Sequence, residues 1–343
     1  MLYLGLDVHG KWTTVVGFDP KTGEVVEHKR VSNEAEEIGV LLGSLAGPLY
    51  GAMEVGTNSW AMYRVLRPHF AELVVVDPAR VWDRRRERGA KTDRRDALRL
   101  AELLYRGELE GVWIPDERTQ DLRVLVRGKV RASRWVTKAC NEIGSLLRSW
   151  GYRVEASLLS GQGRKLLQEA QLPGHSRRVL ELWRELLETA QEIEAELEAA
   201  VKEEAKADPV CQLLGTIPQV GPLTALVVRA EVGDVRRFRT AKALASYAGL
   251  CPRVSQSGEQ CHYGKLGRWG DRWLKYALVL AANRIARGAK ESRLHRLYWR
   301  MCLRHNRNDA KVAVARKLVQ LMWRMLRDGR CWQELESLER VQA

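Results

Sequence analysis

The stretch Leu2-Tyr3-Leu4-Gly5-Leu6-Asp7 opens the chain with leucines at every second position and stops at a carboxylate. This alternation predicts a β-strand. A second apolar run covers residues 12–18, and a third strand is predicted over 24–31, after the turn at Asp19-Pro20-Lys21-Thr22-Gly23. Three strands joined by such short connections predict an antiparallel meander.

Helices and strands alternate after the meander. Helices are predicted over 33–45, 59–66 and 93–106, one strand ends at Glu54, and another covers 73–76. The order βββαβαβα, with an antiparallel start and a mixed sheet, is the plan of an RNase H-like (RuvC-like) domain. The fold class is therefore α/β for residues 1–110.

Strand patterns disappear over residues 111–206, where two long amphipathic helices are predicted at about 117–150 and 176–205. The second helix has an apolar stripe formed by Val179, Leu182, Leu186, Ala190, Ile193, Leu197 and Val201. Two interpretations stay open. The helices form a coiled-coil insertion that dimerises the protein, or they form a hairpin packed on its own chain.

The remaining part, residues 207–343, is predicted to be all-α. Residues 213–223 have the pattern of a helix-hairpin-helix, whose backbone amides can hold a phosphate. A Gly/Ser-rich loop is expected over 249–270. Further helices are predicted at 241–248, 271–287, 291–305 and 309–328.

The net charge of the chain indicates the kind of molecule that it binds. Among 343 residues, 57 are Lys or Arg and 43 are Asp or Glu, which gives a formal net charge of +14. An excess of this size fits a polyanion, most often nucleic acid. No stretch approaches the roughly 20 apolar residues of a membrane-spanning helix, so no membrane partner is expected. Six widely spaced cysteines indicate reduced thiols and a cytoplasmic, nucleoid-associated protein.

Four acids are the leading catalytic candidates. Asp7 and Glu54 end the first and fourth predicted strands, whereas Asp93 and Asp96 lie three residues apart at the start of a helix and share its face. In an RNase H-like sheet these positions gather, and carboxylates are the ligands that Mg²⁺ prefers. The alternative is structural, since Asp93 and Asp96 can simply stabilise the N-terminus of the helix through its dipole.

Two further groups of residues point to nucleic acid. The loop Ser255-Gln256-Ser257-Gly258 lies between glycines and cations, although a serine next to a glycine is most often part of a turn. Tryptophans 82, 269, 273 and 299 can stack on bases, and the alternative is a solvated basic face with buried tryptophans. The basic candidates for nucleic-acid binding are Arg84, Arg85, Arg86, Lys91, Lys265, Arg268 and Arg272.

The motifs of the chain resemble those of IS110/IS1111-family transposases, whose first domain is called DEDD. The motifs are Leu4-Gly5-Leu6-Asp7-Val8-His9, Met53-Glu54-Val55-Gly56, Lys91-Thr92-Asp93-Arg94-Arg95-Asp96-Ala97, Ile217-Pro218-Gln219-Val220-Gly221-Pro222, Ala245-Ser246-Tyr247-Ala248-Gly249-Leu250-Cys251-Pro252 and Gln256-Ser257-Gly258. They are also similar to Piv-type DNA invertases and, in the first domain, to RuvC Holliday-junction resolvases. One departure is Asp77, where the family carries Asn.

The resemblance implies a recombinase that excises and inserts an insertion element, with donor and target DNA as substrates. It implies that Asp7, Glu54, Asp93 and Asp96 bind Mg²⁺ or Mn²⁺, and that Ser257 is the nucleophile, with Ser255 as its rival. It also implies a structured noncoding bridge RNA as guide and assembly into a homodimer or homotetramer. Two other functions stay open, a RuvC-like endonuclease that uses metal-activated water and a non-catalytic RNA- or DNA-binding protein.

Overall fold

The computed structural model describes residues 1–82, 92–257, 260–267, 269–288 and 292–341. The chain divides into two compact units, residues 1–114 and residues 115–343. The two long helices predicted at 117–150 and 176–205 both lie in the second unit. Among the described residues, no helix combines the length and the apolar character needed to cross a bilayer.

The first unit contains a five-stranded mixed sheet. Its strands are β1 (Leu2–Val8), β2 (Trp12–Phe18), β3 (Val25–Ser32), β4 (Leu49–Glu54) and β5 (Glu72–Val76). Their order across the sheet is β3-β2-β1-β4-β5. The pairs β1–β2 and β2–β3 are antiparallel, and the pairs β1–β4 and β4–β5 are parallel. The predicted meander and mixed sheet are confirmed.

Four helices accompany this sheet, α1 (Ala35–Gly43), α2 (Ser59–Leu66), α3 (Pro78–Trp82) and α4 (Asp93–Tyr105). The even-numbered leucines of β1 form one core with apolar residues of α1 and α2. The opposite face of the sheet carries α4, whose Leu100 packs with β4 and β5. Helix α2 has the limits predicted from sequence, whereas α3, a single short turn, was not predicted.

Where the structure describes it, the second unit is helical apart from one hairpin. Its elements are α5 (Glu117–Ser149), α6 (Gly161–Glu169), α7 (Gly174–Ala207), α8 (Pro209–Gly215), α9 (Pro222–Val232), α10 (Ala241–Tyr247), β6 (Pro252–Ser257), β7 (Gln260–Leu266), α11 (Arg272–Gly288), α12 (Arg293–Cys302), α13 (Arg307–Asp328) and α14 (Trp332–Val341). Helices α6 and α14 were not predicted. Helices α8 and α9 flank a short turn, where the sequence predicted a turn between two helices.

Helices α5 and α7 pack along each other in opposite directions. Trp150 hydrogen-bonds to Ser176 near one end of the pair, and Arg118 forms an ion pair with Glu204 near the other. The seam does not follow the predicted stripe of α7. Ala190 and Val201 of that stripe are buried, but Val179, Leu182, Leu186 and Ile193 remain 37–49% exposed.

The prediction of a loop over 249–270 is wrong in part, because β6 and β7 form an antiparallel hairpin within these residues. Ser255 lies opposite His262, and Ser257 lies opposite Gln260. Backbone hydrogen bonds hold such a ladder, and serine makes them as readily as residues that favour strands. A Gly/Ser-rich composition therefore concealed the hairpin.

Candidate active site

The first site residue is Asp7, near the carboxyl end of β1. In the parallel pair β1–β4, Leu6 lies opposite Met53, so Asp7 and Glu54 each follow by one residue at the same edge of the sheet. Carboxyl ends of neighbouring parallel strands are a common position for functional groups. Both side chains are half-buried.

Helix α4 brings the two other acids to this edge. It crosses β1 so closely that a Cβ on Gly5 would overlap the carbonyl oxygen of buried Ala97. Glycine is thus required at position 5 by the approach of the helix backbone. The helix begins where the Thr92 hydroxyl accepts a hydrogen bond from the Arg95 amide at 3.3 Å. Asp93 therefore occupies the first turn of α4.

His9 lies between two of the acids. Its Nε2 atom is 3.3 Å from Asp7 Oδ2 and 3.3 Å from Asp93 Oδ2. One ligand atom from each of the three side chains lies within 4.8 Å of the others. The imidazole is 39% exposed, yet Nε2 itself is buried and forms no hydrogen bond of acceptable geometry among the described residues.

The backbone of His9 is held from three directions. Its carbonyl oxygen accepts hydrogen bonds from the side-chain amides of Asn33 at 2.8 Å and Asn58 at 3.0 Å. Its own amide donates to the carbonyl of Trp12 at 2.9 Å. Asn58 belongs to the loop after β4, where buried Ser59 hydrogen-bonds to the backbone of Gly56. These bonds tie the loop after β1 to the loop after β4.

The donor set fits a divalent cation. Two carboxylates and an imidazole nitrogen converge. The carboxylate oxygens suit Mg²⁺ or Mn²⁺, whereas the imidazole nitrogen is a ligand that softer divalent metals prefer. The buried Nε2 atom gains a partner if a cation binds between the three side chains, which would remove the cost of an unsatisfied polar atom. The acidic cluster expected from the family is thus chemically able to bind the metal that the family implies.

The structure brings only some of the predicted site residues close together. Asp7 and Asp93 approach each other through His9, whereas Glu54 and Asp96 are outside the group of three that the described residues form. Asp96 lies one turn along α4 from Asp93. Asp77 caps α3, because its carboxylate accepts a hydrogen bond from the amide of Ala79 at 3.0 Å.

Several predicted nucleic-acid contacts fall outside the described residues, namely Arg84, Arg85, Arg86, Lys91 and Arg268. The backbones of Lys265 and Ser257 lie in β7 and β6. Arg272 begins α11 and is exposed. Trp269 and Trp299 are 73% and 51% exposed, whereas Trp273 is only 5% exposed and is therefore not free to stack on a base.

His9 is the residue that sequence reasoning missed. It lies two positions after Asp7, and residues two apart point to the same side of a strand, so the Asp-x-His spacing was a usable signal. Asn33 and Asn58 offered no such signal. Their function depends on loops that only tertiary structure brings to the carbonyl of His9.

Comparison with known proteins identifies the family of both parts of the chain. One family model, described as "Transposase" and named for DEDD and IS110, matches residues 4–151, which include all four acids. A second, the "Transposase IS116/IS110/IS902 family", matches residues 211–299, which include the β6–β7 hairpin. The two matches are consecutive along the chain and together span most of it.

Individual relatives point the same way. The transposase for insertion sequence element IS1111A of Coxiella burnetii is 29% identical over 94% of this chain and 89% of its own length. The transposase for element IS1328 of Yersinia enterocolitica is 26% identical over 70% of this chain and 72% of its own. The pilin gene-inverting protein of Moraxella bovis is 33% identical over 34% of this chain and 37% of its own. The chain belongs to the IS110 family of DNA transposases.

Proposed function

We propose that this transposase cleaves and rejoins DNA strands through a metal-dependent reaction in which Ser257 is the nucleophile. The observation that carries the proposal is the convergence of Asp7, His9 and Asp93 within 4.8 Å at the carboxyl edge of a mixed sheet. The strand order β3-β2-β1-β4-β5 supports an RNase H-like, RuvC-like assignment for the first unit. The turn between α8 and α9 similarly supports a helix-hairpin-helix.

The acids of the first unit would hold Mg²⁺ or Mn²⁺. Asp7, His9 and Asp93 supply the converging ligands, and Glu54 and Asp96 add carboxylates from β4 and the next turn of α4. The chemistry that a bound divalent cation supplies is polarisation of the phosphate and stabilisation of the entering and leaving oxygens. The fixed backbone of His9 keeps its ring in place before any ligand arrives.

Ser257 ends strand β6, next to the tip of the hairpin. In the proposed step its Oγ attacks the phosphorus of a DNA phosphodiester and loses its proton to a base, while the leaving sugar oxygen gains a proton. The new ester between serine and phosphate retains the energy of the broken bond. A second sugar hydroxyl can then displace the serine and rejoin strands without ATP.

Assembly and guidance complete the proposal. The exposed residues Val179, Leu182 and Leu186 repeat at helical spacing on α7, which supports a second copy of this chain as their partner. Acids crowd the second half of α7, so antiparallel pairing of two copies keeps the two acidic halves apart. We propose a homodimer or homotetramer. The +14 charge supports binding of a structured noncoding guide RNA as well as donor and target DNA.

The test is a denaturing gel of end-labelled duplex DNA from the region flanking the gene, incubated with the full chain, Mg²⁺ and RNA transcribed from that region. Wild type should form a protease-sensitive protein–DNA adduct. Ser257→Ala should bind DNA and form no adduct, and Ser255→Ala should form it. Asp7→Ala should lose both the adduct and Mg²⁺ binding measured by calorimetry.

Other outcomes identify the alternatives. An adduct lost only in Ser255→Ala would move the nucleophile two residues upstream. Metal-dependent nicking without an adduct, surviving both serine substitutions, would identify a RuvC-like endonuclease that uses water. Neither cleavage nor Asp7-dependent Mg²⁺ binding would leave a protein that binds nucleic acid without catalysis. Co-purified RNA consisting only of random fragments would contradict the guide RNA.

A further inference from the structure

Four arginines surround one buried tryptophan in the second unit. The guanidinium carbons of Arg127, Arg131, Arg134 and Arg272 lie 5.8, 5.4, 5.4 and 4.8 Å from the centre of the Trp273 ring. These distances are within the range of cation–π attraction. Four like charges around one ring repel each other, so the arrangement calls for an explanation beyond packing.

Three of these arginines form a stripe on α5. Residues 127, 131 and 134 are spaced by four and three, which places them on one face of the helix. Lys138 continues the stripe one turn further, over the Trp135 ring at 5.5 Å. From residue 127 to residue 138 the stripe extends about 16 Å. Helix α5 as a whole carries eight basic and three acidic residues, whereas α7 carries five basic and nine acidic residues.

Among the residues that the structure describes, a carboxylate neutralises only one of the four arginines. Arg127 donates two hydrogen bonds of 2.8 Å to Glu231, which is completely buried. Within the described ranges, Arg131, Arg134 and Arg272 form no ion pair, and all three are exposed to solvent. Arg127 thus fastens α5 to α9, while the other three present uncompensated positive charge at the surface.

The tryptophan fixes these three cations in place. A guanidinium that packs on an aromatic ring keeps its N–H groups free for an anion. Side-chain rotamers are already restricted by this packing, which lowers the entropy lost when a ligand binds. Arg134 also packs on Tyr276, at 5.2 Å. The cluster is therefore organised for anions before any anion is present.

The cluster is also rigidly connected to the hairpin that carries Ser257. Asp271 accepts hydrogen bonds from the Trp273 and Leu274 amides at 2.9 and 2.8 Å, and its own amide donates to the carbonyl of Tyr247 at 2.7 Å. Gly249 and Gly270 pack backbone to backbone, each with positive φ, where a Cβ on either would collide with the other segment. The residues before β6 and after β7 are thus held together beside Arg272.

We infer that Arg131, Arg134 and Arg272, with Lys138, form a track that binds the phosphates of duplex DNA beside the β6–β7 hairpin. The choice of DNA rests on the proposed function, because that hairpin carries the serine expected to attack DNA. The charge, spacing and exposure of the track do not depend on that function. Successive phosphates of the DNA backbone bind to successive arginine side chains along the stripe.

The experiment measures binding of a fluorescent 30-base-pair duplex by anisotropy at several salt concentrations, with EDTA present to prevent cleavage. Variant one is Arg131→Gln/Arg134→Gln/Arg272→Gln. The matched control is Lys165→Gln/Arg177→Gln/Arg178→Gln, which removes the same charge from exposed helical positions that glutamates already neutralise. Replacement of the three track arginines by lysine keeps the charge and removes the ring packing specific to guanidinium.

The track variant should weaken binding at least about tenfold, and the slope of log K against log salt should flatten by about 0.9 for each lost phosphate contact. The control should match wild type, and the lysine variant should keep most of the slope. Equal unfolding midpoints establish that all variants are folded; if the triple variant unfolds, Arg131→Gln and Arg134→Gln are measured singly.

An unchanged slope in the track variant, or an equal loss in the control, would overturn the inference. A loss seen only with a hairpin RNA of equal length, measured in parallel, would overturn the assignment to DNA. The proposed function fails separately. If wild type forms no serine adduct but the track variant still loses DNA binding, the track stands without the strand-transfer chemistry.

Discussion

Gly5 links the strand that carries Asp7 to the helix that carries Asp93. Its missing side chain lets the backbone of α4 lie directly on β1, at the carbonyl of Ala97. Any side chain at position 5 must displace the helix, because both backbones are buried. The geometry of the acidic group thus depends on one glycine that has no chemistry of its own.

We expect Gly5→Ala to destabilise the full chain by about 3 kcal/mol, at the upper end for an overpacked core. The displaced helix should carry Asp93 away from Asp7 and weaken Mn²⁺ binding. The control is Gly10→Ala, beside His9, where a Cβ meets nothing within 4 Å and should change stability by less than about 0.5 kcal/mol. Urea unfolding and calorimetric titration with Mn²⁺ measure both effects. Wild-type stability and Mn²⁺ affinity in Gly5→Ala would contradict this account.

At the level of residues, sequence reasoning succeeded where chemistry follows strand ends. Asp7 and Glu54 were placed correctly at the ends of neighbouring strands, since alternating apolar residues define those ends. His9 was missed because one histidine near an aspartate is common. The carbonyl contacts of Asn33 and Asn58 join residues 24 and 49 positions apart, and no local pattern encodes them.

Among the elements, the pair α5–α7 depends on a buried lysine. Lys129 of α5 is 9% exposed and lies 2.9 Å from carboxylate oxygens of both Glu194 and Glu198 on α7. Burial lowers the pKa of Lys129, but hydrogen bonds to the two glutamates outweigh this effect and raise the pKa above its ordinary value. The hydrogen bond to Lys129 lowers the pKa of Glu198.

We expect Lys129→Met to destabilise the chain by about 2 kcal/mol at pH 7. This is below the roughly 3–5 kcal/mol of a fully buried pair, because the glutamates are 27% and 43% exposed. The lowered pKa of Glu198 means that its contribution is complete above about pH 4.3 and is lost as the pH falls through its folded value. The raised pKa of Lys129 extends its contribution to alkaline pH.

Unfolding free energies of wild type and variant, measured from pH 7 down to acid, should therefore converge at low pH. Lys202→Met is the control, since Lys202 is 62% exposed and its ion pair with Glu198 should contribute less than about 1 kcal/mol. A constant difference between wild type and Lys129→Met at every pH would show that packing, and not charge, holds the helices.

Among the helices and strands, the long ones were predicted most accurately from sequence. The limits of α5 and α7 were predicted within two residues, because long amphipathic periods are strong signals. The buried face of α7 was predicted incorrectly, since its apolar residues are more numerous than the seam with α5 can bury. The β6–β7 hairpin was missed because backbone pairing leaves little trace in a Ser- and Gly-rich composition.

For the whole molecule, the exposed stripe of α7 predicts self-association. Leu182→Lys/Leu186→Lys should convert an oligomer into a monomer in light scattering, because charge on an apolar seam opposes its burial. Substitution of exposed Val124 of α5 by Lys, outside the stripe, serves as control and should leave the mass unchanged. A wild type that is monomeric at high concentration, or a double variant that retains its oligomeric mass, would refute the proposed interface.

The close contact between β1 and α4 also bears on protein synthesis. Asp7 and Glu54 emerge early from the ribosome, whereas Asp93 and Asp96 arrive on the last helix of the first unit. A prematurely terminated chain that lacks α4 contains the segments of all five strands but has no helix to cover the strip beside Gly5. It holds only half of the acids. Translation order thus keeps incomplete products of an enzyme that acts on DNA from assembling its acidic group.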